Sequence, residues 1–214
     1  MYPVRGLAMV AVAALALDAG VTVGAAVIDL RYADLVDRVV VDAGAVPEAE
    51  LARSHLVHAF SGVVMVLAYL VAVVAFLAWF YRVRVNAEIL APYGHRRSRP
   101  WAIAGWLVPV IAFWFPKQAM DDIWYASQPG GGRRGQVLID AWWMFWLVGN
   151  LVATVVARVL VEAFSRGDGL GRVAYAARVD VAGLALMLIA AVLAIGVVLL
   201  ITNAQEEYRA GARS

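Results

Sequence analysis

The chain has 214 residues, 64% of them hydrophobic, a mean hydropathy of +0.77, a formal net charge of +2 and no cysteine. Such apolar content exceeds that of a soluble domain of this length and points to a bilayer. The lack of cysteine excludes disulfides, thiolate metal sites, iron–sulfur clusters and cysteine nucleophiles. The apolar excess sits in five blocks, 7–28, 56–80, 101–115, 137–160 and 179–201. Four reach the roughly 17 to 25 residues that a spanning helix needs, and 101–115 falls short. The expected fold is an all-α polytopic membrane helix bundle, a single integral membrane domain over 1–214, with four full spans plus one short re-entrant or broken segment.

Arg5 precedes the first block, as in a signal peptide. The run is long for such a segment, though, and Asp18, Ala19 and Gly20 make no clean cleavage site, so it is read as a retained anchor. Asp18 lies midway along it, where a carboxylate is expensive unless protonated, paired or water-facing, and Thr22, Ala25 and Asp29 follow on its face. Residues 29–54 form an external amphipathic connection. Tyr32, Leu35, Val36, Val39 and Val40 recur with a helical period between acids and arginines, a pattern that predicts a short surface or capping helix. Gly44 and Pro47 end that helix, and Pro47 with Glu48 and Glu50 suits the first turn of the next. His55 is expected in an external polar interaction near Glu48 and Glu50, with His58 packed or hydrogen-bonded. Neither makes a case for haem or metal.

Basic residues set the orientation. Segment 29–54 carries Arg31, Arg38 and Arg53 against six acids, whereas 81–100 carries Arg82, Arg84, Arg96, Arg97 and Arg99 against Glu88 alone. The positive-inside rule puts 81–100 and the N-terminus in the cytoplasm and 29–54 outside the cell membrane. These arginines are candidate contacts for anionic lipids, as are Arg133 and Arg134, and their bias is already required by orientation, so it does not argue for nucleic acid.

Segment 101–126 is expected to be a re-entrant or interfacial helix pair. Pro109 and Pro116 each remove a backbone donor, and Gly105 allows a close neighbour. Charge barely separates a dip from a crossing, because the cytoplasmic side holds 11 of the 18 basic residues in the first case and 10 in the second. The dip leaves the C-terminus cytoplasmic. Seven of the eight tryptophans lie between 101 and 146, the pattern of an aromatic belt at one interface, with an aromatic-lined pocket for a lipid or quinone-like headgroup as the functional alternative. After Pro116, Lys117 with Asp121 and Gln118 with Asp122 are spaced four apart on shared helix faces, opposite Met120, Ile123 and Trp124. Trp106, Pro109, Trp114, Pro116, Lys117, Gln118, Asp121, Asp122 and Trp124 are therefore the candidate interfacial binding residues. Ser127 to Gly132 reads as a turn. It lacks the lysine and hydroxyl of a phosphate-binding loop.

Farther on, Asn150 lies mid-block and Asp180 near the start of the last block. With Asp18 they form the candidate intramembrane polar site, in which an inter-helix bond between Asp18 and Asn150 is the expectation and proton or ion coupling through Asp18 the alternative.

Trp79-Phe-Tyr81-Arg-Val-Arg84-Val-Asn86-Ala87, the Trp101–Pro116 segment, Lys117 to Ser127 and Trp142-Trp143 together resemble the actinobacterial membrane domain family known as domain of unknown function 4328, over roughly residues 55–205. The resemblance implies a multi-span protein without an assigned activity. One departure is that Ala112 and Phe113 stand where an asparagine is expected, so a polar site there would be altered in this chain. Small size, broad aromatic interfaces and few buried charges ask for no chemistry and no cofactor. The expected role is a non-enzymatic membrane scaffold or accessory subunit, meeting membrane lipids and a protein partner or second copy. A small transporter or channel for an ion or small solute is the alternative.

Overall fold

In the computed structural model the described residues are 1–42, 44–128, 132–152, 155, 159, 162 and 170–211, with side chains described throughout except at 170–177, 179 and 180. They form six α-helices: α1 Arg5–Val41, α2 Glu48–Leu90, α3 Trp101–Leu107, α4 Phe115–Ser127, α5 Arg133–Leu151 and α6 Leu170–Gly211, with a 3₁₀ turn at Ile111–Phe113. The fold is all-α among the described residues. Three stretches are long and apolar enough to cross a membrane: α1, α2 and Val181–Gly211 of α6. The fourth expected span, 137–160, is helical through Leu151 in α5, and most of 152–160 lies outside the described residues.

The long helices exceed a bilayer. α1 has 37 residues, α2 43 and α6 42, or about 55 to 65 Å each against a hydrocarbon thickness of about 30 Å. The separate short helix expected at 29–40 is instead the C-terminal part of α1. Neither proline nor glycine interrupts 25–41, so the backbone ladder continues while only the side-chain pattern changes from apolar to amphipathic. The predicted stop is where the helix ends, before Gly44. Pro47 leads into α2, and its carbonyl accepts the Glu50 and Leu51 amides.

Two compact units emerge from the contacts, one made of residues 1–16, 70–144 and 191–214, the other of 17–69 and 145–190. In the first, Phe76, Trp79, Phe80, Met120, Ile123 and Ile201 lie in the core. In the second, Tyr32, Ala33 and Val36 form a cluster with Leu51 against it. Thr22, Ala25 and Asp29 are buried together, on the face that their spacing predicts.

Segment 101–127 breaks where its prolines require. Val108, next to Pro109, is extended (φ −90°, ψ 113°), because the proline ring crowds the α region of the residue before it. Pro116 falls in the first turn of α4, where no amide partner is needed.

Small residues set the distances between elements. A Cβ on Gly105 would meet Phe115 Cβ at 3.0 Å, and one on Gly135 would meet Trp124 Cζ2 at 2.2 Å. Gly149 faces Met187 just as closely, with the Met187 amide nitrogen 3.4 Å from a Cβ placed there. Gly135→Ala is expected to push Trp124 out of its site and destabilise the protein by about 2 kcal/mol or more. Gly6→Ala, at a position open to 4 Å, should be neutral or better. Thermal unfolding of the two variants in detergent, compared with the parent chain, checks this.

Candidate functional site

The first unit concentrates its polar side chains around the C-terminal turns of α2. Arg84 is 2% exposed, and a guanidinium so enclosed requires acceptors. Its Nη1 donates to His95 Nδ1 at 2.7 Å and its Nη2 to the Arg97 carbonyl at 2.5 Å. Glu88, one turn on, lies 3.4 Å from Nε, and the Asp122 carboxylate of α4 lies 4.0 Å from Nη1. Asp122, itself buried, accepts the Arg96 amide at 2.9 Å and pairs with Arg96 Nε at 3.3 Å. Residue 96 precedes α3 and residue 122 lies in the second half of α4, so α3 and α4 form a hairpin that returns to its starting point. Arg99 completes the base through Glu88 at 2.5 Å, a hydrogen bond that raises its already high pKa.

His95 must be neutral to accept from Arg84. Its proton then sits on Nε2, which is enclosed and has no hydrogen-bond partner among the described residues. Burial, with the Arg84 charge second, lowers the pKa below the ordinary histidine value.

A second network joins the helices through amides. Asn86 Nδ2 donates to the Tyr2 carbonyl at 2.9 Å and to Gln205 Oε1 at 3.1 Å, while its Oδ1 accepts the Tyr2 amide at 2.8 Å. Gln205 Nε2 in turn donates to the Val83 carbonyl and to Ser127 Oγ, both at 3.0 Å. Trp79 Nε1 donates to Thr202 Oγ1 at 3.0 Å. Glu206 accepts the Val4 amide at 3.0 Å. The chain ahead of α1 is thus strapped onto α2 and α6.

The i, i+4 spacing of Lys117 and Asp121 does form an ion pair, at 2.5 Å, and Lys117 also reaches Asp140 of α5 at 2.7 Å. Gln136 bridges the same two carboxylates. Gln118 and Asp122 do not pair, because Asp122 turns to Arg96. The apolar side of α4 is the buried one, with Met120, Ile123 and Trp124 at most 1% exposed. Asp122, Pro116 and Trp124 are therefore internal residues and unavailable as interfacial ligands.

Two further expectations are corrected. Arg84 is enclosed and is no lipid contact, whereas Arg133 and Arg134 are exposed, Arg82 lies over the Tyr2 ring and Arg97 over the Phe115 ring. The tryptophans make no single belt. Trp79, Trp124, Trp142 and Trp143 are core, and Trp101 and Trp114 are exposed. Trp106 meets Phe76, Phe80, Trp142 and Trp143 at centroid distances of 5.8 to 6.3 Å, so the rings fill the space that an aromatic pocket would need.

In the second unit Asp18 is half-buried on α1, and Asn150 donates to the Trp146 carbonyl at 2.8 Å and to Met187 Sδ at 3.7 Å. The Asp180 side chain lies outside the described residues. His58 bonds Asp29 at 2.8 Å, as a packed or bonded histidine should, and stacks on Tyr32. His55 finds the Tyr32 hydroxyl at 3.1 Å in place of Glu48 or Glu50. Arg178 pairs with Asp34 and Asp37, and the Asp37 bond raises its pKa.

Sequence reading missed His95, Glu88, Gln136, Asp140 and Gln205. Two pairs carried a local signal, the four-residue spacings of Arg84 with Glu88 and of Gln136 with Asp140.

Long apolar helices tied by internal polar bonds define a membrane-type helical protein of several candidate spans. The family described as Domain of unknown function (DUF4328) matches residues 42–203, more than half of the chain, and the protein belongs to it. No curated protein and no solved structure matches the chain.

Asn86→Leu leaves the Tyr2 amide and carbonyl and Gln205 Oε1 without partners, and should cost about 2 to 4 kcal/mol in unfolding measurements in detergent. His95 gives a pH test. Because its folded pKa is depressed, the unfolded chain takes up the proton first as the pH falls through about 6.5. Its contribution to stability is therefore full above that value and declines below it. The loss in melting temperature between about pH 7.5 and about pH 5.5 should be larger for the parent chain than for His95→Asn.

Proposed function

We propose that the protein is a non-enzymatic membrane scaffold or accessory subunit. The observation that carries this reading is the state of the six buried polar side chains among the described residues of the first unit. Arg84, Asn86, Asp122, Ser127, Thr202 and Gln205 are each bonded to another group of the same chain. They cross-link helices. Met9, Val71, Val74 and Val192, meanwhile, are exposed on the long helices, a surface suited to lipid or to an apolar partner.

The membrane arrangement belongs to the same proposal: four full spans, with α5 as the third, and 101–126 re-entering without crossing. Two findings support it. The 19 residues of α5 extend about 28 Å, close to the hydrocarbon thickness. The bonds from Tyr2 and Gln205 to Asn86 gather the N-terminal segment, the end of α2 and the end of α6 at one end of the first unit. With the arginines of 81–100 setting the sign, that end is cytoplasmic and 29–54 external in the cell membrane.

Asp18→Asn separates this role from ion transport. In vesicles containing the purified protein, the scaffold reading expects proton and cation flux no different between parent and variant, with any change confined to assembly. A pH-dependent flux that the substitution abolishes while assembly is intact would replace the scaffold with a transporter.

A further inference from the structure

The α3–α4 hairpin carries no charged side chain between Arg99 and Lys117, and its turn is strongly apolar. Leu107, Val110 and Phe113 are 74%, 66% and 60% exposed, with Val108 and Trp114 exposed beside them. A contiguous apolar projection of this kind is unfavourable in water.

The direction of α3 indicates what covers it. Arg99, at its base, bonds Glu88, while Trp106 packs edge-on against Phe76 and Phe80. α3 therefore runs antiparallel to α2, away from the charged base. Glu88 and Phe76 are separated by about 18 Å along α2, and Leu70, Val71 and Val74 follow in the same direction, 51%, 54% and 68% exposed on a helix apolar enough to span a membrane. The turn and that helix face share a level and a chemistry.

The backbone of the turn meets much of its own hydrogen-bonding demand. Irregular chain in a bilayer must satisfy its own amides. Here the Val108 amide bonds Ala104, Ala112 bonds Val108, Phe113 bonds Val110 and Trp114 bonds Ile111, and Pro109 has no amide to satisfy.

We infer that residues 107–114 insert among the acyl chains of a phospholipid leaflet, while the base formed by Arg99–Glu88 and Lys117–Asp121–Asp140 stays at headgroup level. This deepens the re-entrant reading and rests on it.

The cysteine-free chain allows a direct test. Single nitroxide labels on Val110→Cys, Leu70→Cys and Tyr93→Cys in the intact chain, in phosphatidylcholine–phosphatidylglycerol vesicles, report collisions with oxygen and with a water-soluble nickel chelate. The Val110 label should favour oxygen severalfold, as the Leu70 label does, and the fully exposed Tyr93 position in the loop should favour the chelate. A Val110 label that behaves like the Tyr93 label puts the turn in water and overturns the insertion. One that neither reagent reaches puts it against protein, a second copy included, and overturns it as well. If the Leu70 label itself favours the chelate, the membrane reading of α2 fails first, a result distinct from failure of the turn.

Discussion

A buried guanidinium cannot shed its charge, and Arg84 organises the first unit around that constraint. Removing it from water is tolerable only with acceptors on nearly every side, and these are four groups from three places: Glu88 on its own helix, His95 and the Arg97 carbonyl in the loop, and Asp122 on α4. To supply them the loop after α2 folds back on the helix it leaves, and α4 returns to the point from which α3 departs, where Asp122 also takes the Arg96 amide. The hairpin is a consequence of satisfying one side chain. The same demand dictates the neutral form of His95, the one partner in the set that protonation would turn from acceptor into donor.

The amide network answers a different problem. Helices in an apolar surrounding gain little from packing apolar sides together, since lipid offers the same contacts. Specific registration has to come from polar bonds and close approaches. Asn86 and Gln205 provide the first, locking α2 to α6 and to the N-terminal strap. Glycines provide the second, letting Phe115 lie on Gly105, Trp124 on Gly135 and Met187 on Gly149. Side chains of these two kinds hold the helices at fixed heights.

What could be read from sequence follows the range of the interactions involved. Local rules held: the two prolines break 101–116 where they stand, Lys117 and Asp121 pair across one turn, Met120, Ile123 and Trp124 form the buried side of α4, and Thr22, Ala25 and Asp29 share a face. Rules about whole regions failed when a distant element intervened. An arginine at the end of an apolar helix is ordinarily assigned to lipid phosphate, and tryptophans near short segments to an interfacial belt. Arg84 is instead claimed by Asp122, 38 positions on, and Trp142 by Phe76 of α2. No spacing within one helix encodes such pairings. The run-on of α1 through Val41 went unread for the opposite reason: a change of side-chain pattern was taken for a change of backbone, although nothing there stops a helix.

The N-terminal strap bears on how the protein is made. The Val4 amide is bonded to Glu206, 202 positions away, and Tyr2 is held by Asn86, which is held in turn by Gln205. During synthesis residues 2–4 have no lasting place until α6 has been produced and inserted. Helices can enter the bilayer one by one, but closure of the first unit is a late and cooperative event, and an incomplete chain would display an unstrapped N-terminal segment and an unmatched Asn86 as marks of its immaturity.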